Sequence, residues 1–265
     1  MGFAHQRVRR LRRLLQKRAL RWSERAFVAE GVEVVTCGLD SGRIPEAIFV
    51  DAAAHRSRDV TALCDAARSG GARVHMLAPG VADRVADTVT PHPVFGIFAM
   101  TDVALADVAV PTLAVVCIDV RDPGNAGTVL RTCDAAGVDV VVCVAGTVDP
   151  FNAKTVRSSA GSIFHVPVVV AAELDPVLAW LRERGLAVYG TASVGTDYRD
   201  LELSLPSAFV LGNESAGLDP ELLGSLDGTA AIPMAGRAES LNVGVASAVL
   251  CFEAQRQRRS EPPPG

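Results

Sequence analysis

Short apolar runs recur along this chain, and most end in a polar, glycine-bearing loop that leads into helically spaced apolar positions. The clearest case is 209–254, FVLGNESAGLDPELLGSLDGTAAIPMAGRAESLNVGVASAVLCFEA, where two strand-like runs each enter such a loop and the second loop opens a long apolar helix. Strands alternating with helices imply a parallel sheet covered on both faces. A parallel sheet offers its ligand site beyond the carboxyl ends of its strands, so the loops after strands are where chemistry is expected. A third loop of the same form, DVRDPGNAGTVLR at 119–131, lies upstream.

At 265 residues and 49% hydrophobic content, the chain is long enough for one large or two ordinary globular domains. Its cysteines (Cys37, Cys64, Cys117, Cys133, Cys143, Cys251) form no CxxC pair and lie mostly in apolar elements. They read as reduced, core-filling thiols, which favours a cytoplasmic protein. No uncharged apolar run approaches the roughly 20 residues of a membrane helix, and the N-terminus lacks the apolar centre of a signal peptide. His55, His75 and His92 stand singly, so no metal site is expected.

A net charge of −4 hides an asymmetry. The first 25 residues carry Arg7, Arg9, Arg10, Arg12, Arg13, Lys17, Arg18, Arg21 and Arg25 against Glu24 alone, leaving −12 for the remainder. A basic arm on an acidic body points to a polyanionic partner met at a defined place, and RNA-binding is assigned to these nine side chains. Val8, Leu11, Leu14 and Leu15 fall at helical spacing, so the arm reads as an amphipathic helix with cationic flanks.

Helix and strand patterns then alternate. Residues 32–39, 60–69 and 80–87 read as helices, and 47–51, 73–77 and 94–100 as strands, giving a small α/β domain over 1–100 together with the arm. TDVALADVAVP at 101–111 reads as a linker. The second domain, 112–258, reads as strands at 113–119, 138–144, 166–170, 187–191, 208–211 and 230–233, with helices at 126–136, 152–159, 176–184, after Asp219, and from Ser240. The proline-rich tail 259–265 is expected to be disordered.

No GxGxxG follows a strand, which removes the main support for a dinucleotide-binding reading. In the first loop, Gly124 and Gly127 flank Asn125, and Arg131 follows on the helix. Gly212, Ile232 and Leu241 are apolar or side-chainless residues at loop positions, suited to offering backbone groups to a ligand. Ser240 precedes an apolar periodic run and is expected to cap the last helix. Asn213, Glu214 and Asn242 read as residues that orient neighbours, since a carboxylate near an arginine holds it in place.

These residues carry a resemblance. The pattern N-x-G-x-x-x-R at 125–131, LGNESAGL at 211–218, and IPM followed by ESLNVGVA within 232–246 resembles the three motifs of the SpoU (TrmH) family of RNA ribose 2′-O-methyltransferases. NAKTVRSSAGSIFHVPV at 152–168 is also similar, and the arm with FVAEG resembles the small substrate-binding domain found in front of many members. The resemblance implies an α/β fold whose C-terminal domain is a knotted, trefoil methyltransferase with S-adenosylmethionine as cofactor, preceded by a small α/β RNA-binding domain. It implies catalytic positions at Arg131, Asn125, Glu214, Ser240 and Asn242. Cofactor-binding positions are Gly212, Ile232, Leu241, Leu211, Met234, Asn213 and, at a strand end, Thr191. Lys154 and Arg157 are expected near the RNA path, and a homodimer through the C-terminal domain is implied.

The acceptor hydroxyl is a poor nucleophile that must be held in line and relieved of its proton. A guanidinium keeps its protons and fits phosphate, so Arg131 is read as a clamp on the phosphate beside the target ribose, with that phosphate, Asn125 and Ser240 completing the proton path. The expected substrate is structured RNA, ribosomal before transfer RNA. A base-nitrogen methyltransferase would need a general base that is not visible, and a non-catalytic RNA-binding assembly factor would not need Asn125, Arg131, Glu214, Ser240 and Asn242 together.

Overall fold

A computed structural model describes residues 1–86 and 92–260. In chain order the elements are α1 (Gln6–Gln16), α2 (Arg18–Glu24), β1 (Ala26–Glu30), α3 (Val32–Asp40), β2 (Ala47–Asp51), α4 (Arg58–Ser69), β3 (Arg73–Leu77), α5 (Val81–Val85) and β4 (Val94–Ala99). There follow β5 (Leu113–Cys117), α6 (Pro123–Ala135), β6 (Val140–Val144), α7 (Ala153–Ser158), β7 (Val168–Ala171), α8 (Asp175–Glu183) and β8 (Ala187–Ala192). The chain finishes with β9 (Thr196–Asp197), β10 (Ser207–Leu211), α9 (Pro220–Ser225), β11 (Gly228–Ala231) and α10 (Val243–Ser260). Two compact units result, one formed by 1–101 with 149–165 and the other by 102–148 with the chain from 166 onward.

In the first unit a four-stranded sheet has the order β1-β4-β2-β3, with β4 antiparallel to both neighbours and β2 parallel to β3. The arm is not one helix. Lys17 adopts an extended conformation that separates α1 from α2, and Arg25 at φ 50 ends α2, so that Ala26–Glu30 enters the sheet as a fully buried strand. Val8, Leu11, Leu14 and Leu15 do bury one face of α1, against a core that includes Phe49, Phe95 and Ile97.

The sequence places 149–165 inside the second domain, whereas the structure groups it with the first. The physical reason is a set of long-range contacts. Phe151 lies 5.1 Å from Phe27 by ring centroids, and Phe164 lies 4.8 Å from Phe98. Arg21 forms a buried ion pair with Asp149 at 2.7 Å, and Arg157 reaches the buried Glu30 at 2.7 Å. Gly161, at φ +100, is pressed against Cys37, where an added Cβ would come within 2.6 Å. The expected linker also differs. Asp102 bridges to Val168, and Val103, Leu105 and Val108 pack on the second unit's core.

The second unit is built on a seven-stranded, all-parallel sheet of order β7-β6-β5-β10-β8-β11-β9. Its central strands are continuous apolar runs, LAVVC and SAFVL, buried at every residue as a sheet covered on both faces requires. β10 lies between β5 and β8, so the loops that follow β5, β8, β10 and β11 leave from neighbouring positions on one edge. The short strand β9 was not legible in the sequence. Residue 87, the expected end of α5, and 261–265 of the expected disordered tail lie outside the described residues. All six cysteines are unbridged, and five are buried.

Candidate active site

A pocket of about 330 Å³ opens at the carboxyl ends of β8, β10 and β11. Thr191, Gly212, Asn213, Ile232, Met234 and Leu241 line it, together with Glu214, Ser240 and residues the sequence did not single out, including Ala192, Ser193, Glu239, Val243 and Ala246. Their common signal is position: Ala192 and Ser193 at the end of β8, Glu239 in the loop after β11, and Val243 and Ala246 in the first turn of α10. Leu211 does not line the pocket: it is wholly buried in β10, and its carbonyl accepts from Ile118 N at 2.8 Å. Thr191 Oγ1 donates to Val210 O at 3.0 Å, tying the end of β8 to β10.

The loop after β10 is closed on itself. Asn213 and Gly217 exchange backbone hydrogen bonds, and Asn213 Oδ1 accepts from Ser215 N and Ala216 N. Gly212 has to be glycine, because an added Cβ would stand 2.6 Å from the Gly217 carbonyl and 2.8 Å from Leu218 N. The pocket wall thus joins this closed loop to the apolar side chains of Ile232, Met234 and Leu241 and to the polar residues Thr191, Ser193, Glu214, Glu239 and Ser240. Its volume and mixed lining fit a small ligand with a flat apolar base and polar substituents, such as an adenosyl group.

Beside the pocket, three loops are stitched together by side chains. Asn125 Nδ2 donates to Glu214 Oε1 at 2.9 Å, and Asn242 Nδ2 donates to Asn125 Oδ1 at 2.7 Å. Glu214 also accepts from the backbone N–H groups of Asp122 and Arg121. Partial burial alone would raise the Glu214 pKa, but the hydrogen bonds from Asn125 and these backbone groups outweigh it and hold the carboxyl below its ordinary value. The cap of α10 is Asn242 rather than Ser240: its Oδ1 accepts from Gly244 N at 2.9 Å. Ser240 stands two residues earlier, exposed on the pocket wall.

Arg131 sits on α6 with its residue exposed. It lies three residues, about one helical turn, beyond Thr128. The first turn of α10 approaches so closely there that a Cβ on Gly244 would meet Thr128 Cγ2 at 2.6 Å. The arginine drawn to Glu214 is Arg121, through its backbone N–H, and not Arg131. Among the described residues no group of three His, Cys, Asp or Glu could hold a metal ion, and no helix is long and apolar enough to cross a membrane.

Residues 112–252 match the SpoU rRNA Methylase family. The chain belongs to that family. Residues 5–96 match the MRM3-like substrate binding domain, so the SpoU domain is preceded by a substrate-binding domain. A 23S rRNA (guanosine(2553)-2′-O)-methyltransferase of Bacillus subtilis is 38% identical over 250 residues, covering 94% of this chain and 95% of that protein. A tRNA (guanosine(18)-2′-O)-methyltransferase of Thermus thermophilus is 41% identical over 152 residues, covering 56% of this chain and 76% of that protein. The crystal structure of an AdoMet-bound rRNA methyltransferase from Sinorhizobium meliloti superposes with a TM-score of 0.84 at 33% identity, covering 97% of each chain.

In this SpoU family member the basic side chains of the front domain are not equivalent. Arg7, Arg9, Arg12, Arg13, Lys17, Arg18 and Arg25 are exposed. Arg12 lies over Phe3, and Arg18 and Arg25 lie over Trp22, at 5.3, 6.0 and 5.4 Å from the ring centroids. Arg10 pairs with Glu24 and Glu46. Arg21, expected among the RNA-binding side chains, is not exposed with the others. It is 2% exposed, donates to Leu14 O and Leu15 O, and neutralises Asp149. Lys154 is exposed at the start of α7, whose N-cap is Asn152, while Arg157 is drawn to Glu30.

Proposed function

We propose that this protein transfers a methyl group from S-adenosylmethionine to the 2′-hydroxyl of a ribose in ribosomal RNA. The observation that carries the reading is the pocket at the ends of β8, β10 and β11, flanked by the Asn125–Glu214–Asn242 network. Bound in that pocket, the cofactor would supply an electrophilic methyl on a sulfonium that leaves as a neutral thioether. Gly212, Ile232, Leu241 and Met234 would hold its adenosyl portion through backbone and apolar contact. The network fixes the loops after β5, β10 and β11 in register, so the acceptor ribose meets a preorganised surface.

Arg131, exposed beside the packed start of α10, would grip the phosphate next to the target ribose, with that phosphate, Asn125 and Ser240 offering the hydroxyl proton a path. The late strand β10 in mid-sheet and the return of α10 onto α6 are in keeping with a threaded C-terminal segment. Val245 and Phe252, seven residues apart on one face of α10, are 48% and 45% exposed, which favours a homodimer through that helix. Ribosomal RNA is favoured over transfer RNA because similarity to the rRNA enzyme of Bacillus subtilis runs through the front domain, whereas similarity to the tRNA enzyme covers about half the chain. Six unbridged thiols accord with a cytoplasmic setting.

The test is transfer of a labelled methyl group to unmodified 23S rRNA and, in parallel, to a transfer RNA pool. Label in the former with little in the latter is expected; the reverse would reassign the substrate. A calorimetric titration with S-adenosylmethionine that gave no heat would favour a non-catalytic assembly factor instead.

A further inference from the structure

Arg121 takes no part in the reading above, yet it occupies the loop between β5 and α6 on the edge of the sheet where the pocket opens. Its side chain is 72% exposed, and its Nε donates to Asp119 Oδ1 at 2.7 Å. Asp119 is itself fixed. It holds a left-handed backbone at φ 55, a conformation that Asp and Asn tolerate better than other side chains. Asn213 Nδ2 donates both to its carbonyl oxygen at 3.0 Å and to its Oδ2 at 3.2 Å. One carboxylate thus ties Arg121 to Asn213, a residue lining the pocket. The backbone of Arg121 is held as well, through its N–H bond to Glu214.

A guanidinium anchored by Nε keeps its outer edge, Nη1 and Nη2, for a ligand, and that edge matches two phosphate oxygens. Anchoring before binding reduces the side-chain freedom that a ligand must freeze. Charge gives the arrangement a second purpose: Asp119, Asp122 and Glu214 crowd this loop and would repel a phosphodiester unless a cation faced it. From the start of α6 to Arg131 is roughly 12 Å along the helix axis, so Arg121 and Arg131 leave the chain near opposite ends of that span.

We propose that Arg121 is a substrate-binding residue that clamps a second phosphate of the RNA, and that Asp119 is the residue that positions it. The inference rests on the RNA methyltransferase reading. The test uses the full chain, unmodified 23S rRNA and S-adenosylmethionine, with Arg121→Gln, Arg121→Lys and Asp119→Asn. For Arg121→Gln, RNA affinity should fall roughly tenfold, and the slope of log affinity against log salt should shrink by about 0.7–0.9, the loss of one phosphate contact. Cofactor affinity by calorimetry should not change. Arg121→Lys should keep the slope but lose part of the affinity, and Asp119→Asn should weaken RNA binding with the slope intact. An unchanged slope and affinity in Arg121→Gln would overturn the inference, as would a parallel loss of cofactor affinity, which would mean that Arg121 only holds the loop. If the wild type methylated neither this RNA nor a transfer RNA, the functional reading itself would fall, a result distinct from an active wild type with an insensitive Arg121→Gln.

Discussion

Asn242 donates to Asn125 Oδ1 at 2.7 Å while its own Oδ1 accepts from Gly244 N, so one side chain both caps the last helix and braces the first turn of α6. Glu214 completes the chain of contacts from the loop after β10. Two substitutions separate the roles. Asn242→Asp keeps the cap and loses the donor, so turnover should fall with little change in Tm. Asn242→Ala loses both and should also cost about 1 kcal/mol, or roughly 2–4 °C in Tm. Equal Tm values for the two variants would show that the cap contributes nothing.

The depressed pKa of Glu214 sets a direction for pH dependence. A carboxyl whose folded pKa lies below its unfolded value stabilises the fold fully above the unfolded pKa, about 4.3, and loses that contribution as pH falls through the folded one. Between about pH 5 and 3, Glu214→Gln should therefore show a flatter fall of Tm than the wild type. Parallel curves would mean that the network does not depend on the charge of Glu214.

Much of this was legible in sequence, for identifiable reasons. Continuous apolar runs such as LAVVC and SAFVL announce a buried parallel sheet, and polar residues in the loops after them announce the site. Asn125, Glu214 and Asn242 stand in or just beyond such loops, and the resemblance of their motifs to the SpoU family is what marked them as site residues. What was hidden depends on partners distant in sequence. AFVAE carries no alternation and follows a basic helix, so only its pairing with β4 reveals a strand. Residues 149–165 lie between strands of the second sheet, and only long-range partners assign them to the front unit: Phe151 and Phe164 against Phe27 and Phe98, Asp149 on Arg21, and Arg157 on Glu30. Arg21 reads like its neighbours until Asp149 is found beside it, and Arg121 gains meaning only from the backbone conformation of Asp119.

Arg21 and Asp149 have side chains 3% and 4% exposed. Breaking such a pair strands a buried charge and should cost about 3–5 kcal/mol, whereas replacing both partners with apolar residues restores much of it. Urea unfolding should therefore rank Arg21→Ala well below Arg21→Met/Asp149→Leu. Arg9→Ala, at an exposed position, should leave the midpoint unchanged and reduce RNA affinity instead.

Arg131→Lys retains the charge but not the planar fork. If Arg131 clamps phosphate in a bidentate way, turnover should fall roughly 30-fold, equivalent to about 2 kcal/mol, while cofactor affinity holds. Near-native turnover would dismiss the bidentate clamp.

The central claim is the chemistry at the ribose. A 2′-O-methyl group removes the internal nucleophile that attacks the adjacent phosphodiester, so a methylated linkage resists alkali. Unmodified 23S rRNA incubated with the protein and S-adenosylmethionine, then hydrolysed in alkali and mapped, should show a discrete newly protected linkage that is absent with Arg131→Ala. Complete cleavage at every linkage, with the cofactor nevertheless bound, would contradict the account.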